Sequence, residues 1–284
     1  MRKLFLIVTI LFGLVSSNLF AQIENIPVTK DVTINKLYAG TLGWSNFNID
    51  SLHASNAAVL RFGAVATWRP NDWFALRSLN AFNVETGNGS WSMNQFSAII
   101  NPTKKLTVTV GNMCTLVTEQ RPSPASAGGQ FETWTQSKIP GMALCAKASL
   151  AITDKLSAGL GIAGRNSKPE YQANISLGKT TLSAFYDEWN KKYGSVLTFA
   201  VWRVSEVVVW QQDNIIANLL NLELGPDKDY CVYSDMGWDL DQHKLVRGEW
   251  GVLKTFSGKY IKGLIGPGYC YEDRSVHAYL FVHL

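Results

Sequence analysis

Charge is scarce in this chain. Asp, Glu, Lys and Arg make up 17% of its 284 residues, against roughly 25% in an ordinary soluble domain. Together with an aromatic content of 12%, this excludes intrinsic disorder, which needs charge and few aromatics. Long apolar runs are missing too. Beyond the N-terminal segment nothing approaches the roughly 20 consecutive apolar residues of a spanning helix, so a helical membrane protein is excluded. Cysteine is sparse, with only Cys114, Cys145, Cys231 and Cys270. These form no CxxC pair and have no histidine at ligand spacing, so neither a disulfide scaffold nor a zinc site is expected. Histidine is limited to His53, His243, His277 and His283, and no GxSxG elbow occurs. Nothing here reads as an enzyme or calls for a cofactor. Gly159, Gly161 and Gly164 form a weak glycine fingerprint. They sit in an alternating segment with no helix after it, so they are not a phosphate loop.

What is present begins at the N-terminus. Arg2 and Lys3 precede an apolar run over 4–15, and Ser16, Ser17 and Ala21 supply small residues before Gln22. This is the pattern of a secretory signal peptide over 1–21, followed by one domain over 22–284. Removal of Arg2 and Lys3 lowers the formal net charge from +4 to +2, too little for a nucleic-acid partner.

The remainder is punctuated by short turn signals: RPND (69–72), NPTKK (101–105), TDK (153–155), GKT (178–180), RVSE (203–206), GPDKD (225–229) and FSGK (256–259). All but one of the intervals hold two strands of about ten residues and a connection, and ten residues is the length of a tilted membrane strand. Between the turns the sequence alternates with period two. Leu144, Ala146, Ala148 and Leu150 oppose Ala143, Cys145, Lys147 and Ser149, and Tyr171, Ala173, Ile175 and Leu177 oppose Glu170, Gln172, Asn174 and Ser176. The polar face is rich in Gly, Ser and Ala with an occasional cation, whereas a solvated soluble sheet carries more Lys and Glu. The reading is an all-β, transmembrane, antiparallel up-and-down β-barrel. Sixteen strands are expected, near 36–46, 58–69, 73–84, 90–100, 105–117, 141–152, 156–165, 170–178, 181–189, 193–203, 206–212, 215–224, 229–238, 244–254, 259–266 and 274–284, with fourteen as the alternative. Trp68, Trp73, Trp91, Trp189, Trp202, Trp210 and Trp238 fall near strand ends, where aromatic girdles belong.

The long connection 119–140 falls between the fifth and sixth strands, and the chain ends on a strand, SVHAYLFVHL. In these features the chain resembles the Gram-negative general porins, although its last residue is Leu284 where that family usually closes on Phe. The resemblance implies that the third outer loop folds into the barrel and narrows it. The loop has a Gly128-Gly129 hinge, Phe131, Trp134 and one acid, Glu132. The resemblance also implies a homotrimer in the bacterial outer membrane, among its lipids.

With the apolar parity facing lipid, Arg61, Arg77, Lys147, Arg165 and Arg247 point inward. Facing hydrocarbon, each would cost about 2–4 kcal/mol. They are expected to line the pore, with Glu132 brought toward Arg61 and Arg77 at the constriction. The other reading of these cations is that they brace the barrel by pairing with Glu170, Asp187, Glu249 or Asp235. The expected function is passive diffusion of small hydrophilic solutes with weak anion preference. The second reading is a barrel that does not conduct, an anchor or an envelope protein's partner subunit. Cys114 and Cys145 flank the loop with opposed parity, so no disulfide is expected between them.

Overall fold

The computed structural model describes residues 23–51, 53–85, 88–120, 134–165, 167–258, 262–272 and 274–283; residues 1–21, expected to be a signal peptide, and Gly128, Gly129, Phe131 and Glu132 lie outside them. Seventeen strands account for most of the described residues. The first nine are β1 (Ile23–Pro27), β2 (Val32–Asn48), β3 (His53–Asn71), β4 (Phe74–Glu85), β5 (Asn88–Ile100), β6 (Leu106–Met113), β7 (Ala143–Ala151), β8 (Leu156–Arg165) and β9 (Lys168–Leu177). The rest are β10 (Thr180–Asp187), β11 (Lys192–Val201), β12 (Val204–Gln211), β13 (Ile215–Leu224), β14 (Tyr230–Asp239), β15 (Lys244–Ser257), β16 (Lys262–Cys270) and β17 (Ser275–His283). Between β6 and β7 the described residues include a 3-10 turn, Thr118–Gln120, and one α-helical turn, α1 (Trp134–Ser137).

From β2 to β17 every strand pairs antiparallel with its sequence neighbours. β17 then returns to β2, with Ser275 opposite Asn48 and His283 opposite Gly40. The sixteen strands thus close into a barrel, which leaves no open sheet edge to satisfy. β1 is the strand that the sequence pattern did not signal. It continues the line of β17 along the same edge of β2, with Ile23 opposite Leu37 and Pro27 opposite Thr33. Its five residues are too few to alternate visibly, and Asn25 bends out at φ 55°.

Tight hairpins join the strands because most tips hold one residue in the left-handed region, among them Ser167, Gly178, Asn214 and His243. The turns after β3, β5, β7, β9, β11, β13 and β15 lie at one end, and the long β6–β7 connection opens at the other, the loop end. β6 stops at Met113 rather than running to 117, because the chain there leaves the wall for the interior. β16 is displaced from the expected 259–266 to Lys262–Cys270, since Gly263, Gly266, Pro267 and Gly268 blur its alternation.

Outside, the wall is apolar. Leu144 and Leu160 are 68% and 69% exposed, and Ile162, Ile175, Leu182 and Val252 are exposed beside them. Exposed tryptophans mark both rims: Trp68, Trp73 and Trp202 at one end, Trp189 and Trp238 at the other. Inside, polar residues such as Glu170, Gln172, Asp235 and Glu249 are buried among apolar ones. Three apolar clusters of described residues also lie on the inner face, one of them Met113, Ala143, Cys145 and Ala163. Leu219, Cys231, Tyr233, Leu253 and Leu264 pack together on β13 to β16, and Phe185, Val196, Val207, Val209 and Ala217 receive Val117 and Ile139 from the loop.

Candidate pore constriction

The loop of residues 114–142 leaves β6, crosses the lumen and returns to β7. Its two legs are tied at the base by Thr118, whose hydroxyl lies 2.8 Å from both the Pro140 and Gly141 carbonyls. Thr118 also hydrogen-bonds Thr115 through their hydroxyls at 2.8 Å. From there the loop follows one side of the barrel. The Val117 amide donates to Gln172 Oε1 on β9 at 3.3 Å, and Gln172 Nε2 donates to Thr115 Oγ1 at 2.9 Å. Gln120 Nε2 reaches Ser183 Oγ on β10. On the returning leg Gln211 of β12 donates to the Lys138 carbonyl at 2.8 Å. Burial of Val117 and Ile139 against β10 to β13 contributes about 1.5–3 kcal/mol for each side chain.

On the returning side of the loop α1 contacts β12, β13 and β14. Asp235, buried on β14, accepts the Thr135 amide with Oδ1 at 3.1 Å and Oδ2 at 3.4 Å, and the Thr135 hydroxyl bonds the same carboxylate. An acid placed at the first amides of a helical turn satisfies donors that have no partner within the turn. β14 stands almost diametrically opposite β6 and β7 in the ring, so this contact anchors a loop that spans the whole lumen.

Gly159 and Gly161, the weak fingerprint of the sequence, face inward on β8. A Cβ at Gly159 would stand 3.2 Å from Leu116 Cδ2, and one at Gly161 3.3 Å from Leu116 Cδ1. Their missing side chains make room for the first leg of the loop. Gly251 and Gly268 do the same for Tyr233, since an added Cβ at either would come within 2.6 Å of that side chain.

The expected site residues separate into groups. Lys147 on β7 donates to the Cys114 carbonyl at 3.0 Å and forms an ion pair with Glu119, at the root of the loop. Arg247 on β15 pairs with Glu249 and lies 3.9 Å from Glu272. Arg77 on β4 is exposed and makes no ion pair with any described residue. Arg61 is opposite Gly40 and Asn83, on the parity of the buried Val59 and Val65. Arg165 closes β8 opposite Lys168. Glu132 lies outside the described residues.

Residues that sequence reasoning missed are those that hold the loop: Thr115, Thr118, Gln172, Gln211 and, above all, Asp235 as a cap rather than an arginine partner. A second inner network joins β14, β15 and β17. Tyr233 and Tyr279 donate to Glu249 Oε1 at 2.9 and 2.8 Å. Because the Tyr279 proton goes to Glu249, its oxygen accepts from His277 Nδ1 at 2.6 Å, which leaves Nε2 to accept from Ser275 Oγ at 2.7 Å. The His277 tautomer follows from that chain of donors. The Ser275 hydroxyl is engaged and 1% exposed. No disulfide joins any of the four cysteines.

No family model and no characterised protein sequence matches the chain. Solved structures do. Salmonella typhi OmpF, crystallised in complex with daunomycin, superposes with a TM-score of 0.64 at 8% identity, over 92% of this chain and 100% of that one. A triple-substituted porin of Rhodopseudomonas blastica superposes with a TM-score of 0.56 at 13% identity, over 89% and 99% of the two chains. The chain therefore has the general-porin fold, a closed sixteen-stranded barrel with an inserted third loop.

Proposed function

We propose that this chain is an outer-membrane channel for passive diffusion of small hydrophilic solutes, exported by cleavage of a signal peptide over 1–21 and assembled as a homotrimer. The observation that carries the reading is the loop. It is capped by Asp235 on the wall opposite its root, and its described residues also pack on β10 to β13. Sixteen strands enclose enough space for water, and a loop tied along one side narrows that space without filling it.

Ion preference then follows from which charges remain unpaired. Lys147 and Arg247 line the interior but are offset by Glu119 and Glu249, and Glu170, Asp187 and Asp235 are buried. Arg77, with Arg61 on the neighbouring strand, is proposed to supply the net field in the lumen. Low-dielectric walls strengthen that field relative to bulk water, which gives a weak anion preference. Arg165 contributes at the loop-end mouth.

A barrel that does not conduct is the second reading, favoured by one observation. Leu219, Leu253 and Leu264 point into the barrel and are almost fully buried, so part of the lumen is packed. Outer-membrane fractionation with liposome swelling separates the two. A channel makes vesicles permeable to small sugars, with a sharp loss of rate as solute size rises; an anchor leaves them tight to every sugar.

A further inference from the structure

Between the returning leg of the loop, residues 137–141, and the β9–β12 wall lies a cavity of about 290 Å3 at the loop end. It is built on other strands than β3 and β4, which carry Arg61 and Arg77. Its lining is sorted by chemistry. Ile139 and Phe185, both buried, supply an apolar patch. The Phe185 ring is seated over Gly194 on β11, where an added Cβ would stand 2.7 Å from Cζ, so that patch depends on a missing side chain. Two buried carboxylates stand on one wall. Glu170 on β9 and Asp187 on β10 are directly opposite each other, with Cβ atoms about 5 Å apart. Gln172 donates to Glu170, and Asp187 accepts the Trp189 amide at 2.9 Å and Asn190 Nδ2 at 2.6 Å. Two ammonium groups complete the lining. Lys138 comes from the loop, and Lys192 from β11, opposite Asp187. Lys192 Nζ lies 3.5 Å from Asp213 with both partners exposed, a pair that solvent screening leaves weak.

The charged residues that line the cavity, among those described, balance two against two. A simple cation meets the lysines as well as the acids, a simple anion meets the acids, and a neutral sugar uses neither. A solute with an ammonium, a carboxylate and an apolar side chain satisfies all three surfaces at once. The strand register sets the distance between its charges. Asp187 and Lys192 are cross-strand neighbours, so opposite charges of the wall are one strand spacing apart, about 4.8 Å, which suits groups joined through a single carbon. The volume sets its size: at roughly 30 Å3 per water the cavity holds about ten waters, or a solute of about that many non-hydrogen atoms. We propose that this cavity binds a free α-amino acid with an apolar side chain. Its ammonium faces Glu170 and Asp187, its carboxylate faces Lys138 and Lys192, and its side chain lies against Ile139 and Phe185. The site goes beyond passive diffusion and depends neither on conduction nor on the number of copies in the assembly.

The test is equilibrium dialysis of radiolabelled L-leucine against the purified full chain in detergent. Binding is expected to saturate at one leucine per chain. Leucinamide, which lacks the carboxylate, and N-acetyl-leucine, which lacks the ammonium, are expected to compete at least about tenfold more weakly than leucine, and glucose not at all. Glu170→Gln and Lys138→Met are each expected to weaken leucine binding about tenfold. Folding of the variants is checked by the shift in gel mobility on heating; where a variant loses that shift, the competition series on the unsubstituted protein decides. Absence of saturable leucine binding, equal competition by leucinamide, N-acetyl-leucine or glucose, or unchanged leucine binding in both folded variants would each overturn the proposal. Vesicle permeability to sugars is read separately: leucine binding by a protein that passes no sugar removes the channel and keeps this site, and permeability without leucine binding does the reverse.

Discussion

Asp235 on β14 and Thr135 in the loop, 100 residues apart in sequence, meet across the lumen with the carboxylate 3.1 Å from the amide nitrogen. The loop starts and ends on β6 and β7, so this one contact fixes its far point.

Removal of that cap is expected to change conduction before it changes the fold. Asp235→Ala leaves the Thr135 amide and hydroxyl without their acceptor, at a cost of about 1.5–3 kcal/mol for hydrogen bonds to a charged group. Single-channel recordings should show a larger and noisier open level. Asp235→Asn keeps one acceptor and should fall between. An unchanged open level in Asp235→Ala would mean that the loop is positioned elsewhere.

Gly161 offers a graded test from the wall side. Gly161→Ala brings a Cβ to 3.3 Å from the Leu116 Cδ1 atom, which a rotamer adjustment can absorb. Gly161→Val drives a branch into that side chain and should destabilise by about 1–3 kcal/mol. Thermal unfolding in detergent measures the loss, and proteolysis at the loop should speed up in Val but not in Ala.

Lys147 and Glu119 are paired at the loop root, but the Glu119 side chain is 52% exposed. Solvent screening limits such a pair to about 0.2–1 kcal/mol. A double-mutant cycle with Lys147→Met and Glu119→Gln should return a coupling in that range, and a larger value would mean that the pair is sealed from water.

The thiols give a chemical check on the barrel wall. Cys145, Cys231 and Cys270 are buried, and Cys114 is half-buried beyond the end of β6. Under native conditions a maleimide should modify Cys114 first and the other three only on unfolding. Mass spectrometry of unreduced peptides should find no Cys114–Cys145 link.

Most of the barrel was legible because its signals are local. Period-two alternation and turn residues lie within about ten residues of each other, so fifteen of the sixteen barrel strands fall within a few residues of expectation and β16 is displaced. β1 was not legible, since IENIP contains a bend and a proline and too few positions to show a face. The position of the long loop was readable from the resemblance, but its fastening was not. Glu170, Gln172 and Asp235 look alike in sequence, as polar inward residues of alternating strands; only the ring order of the strands brings Asp235 opposite the loop. The same holds for Gly159 and Gly161, whose purpose appears only when Leu116 is beside them.

The most direct test of a water-filled channel lined by Arg61 and Arg77 is the reversal potential of purified protein in a planar bilayer under a salt gradient. The account predicts discrete conductance steps with weak anion preference, and a shift toward cations with slightly larger steps when Arg61→Ser and Arg77→Ser are combined. A bilayer that stays silent, or a reversal potential that does not move in the double variant, would contradict it.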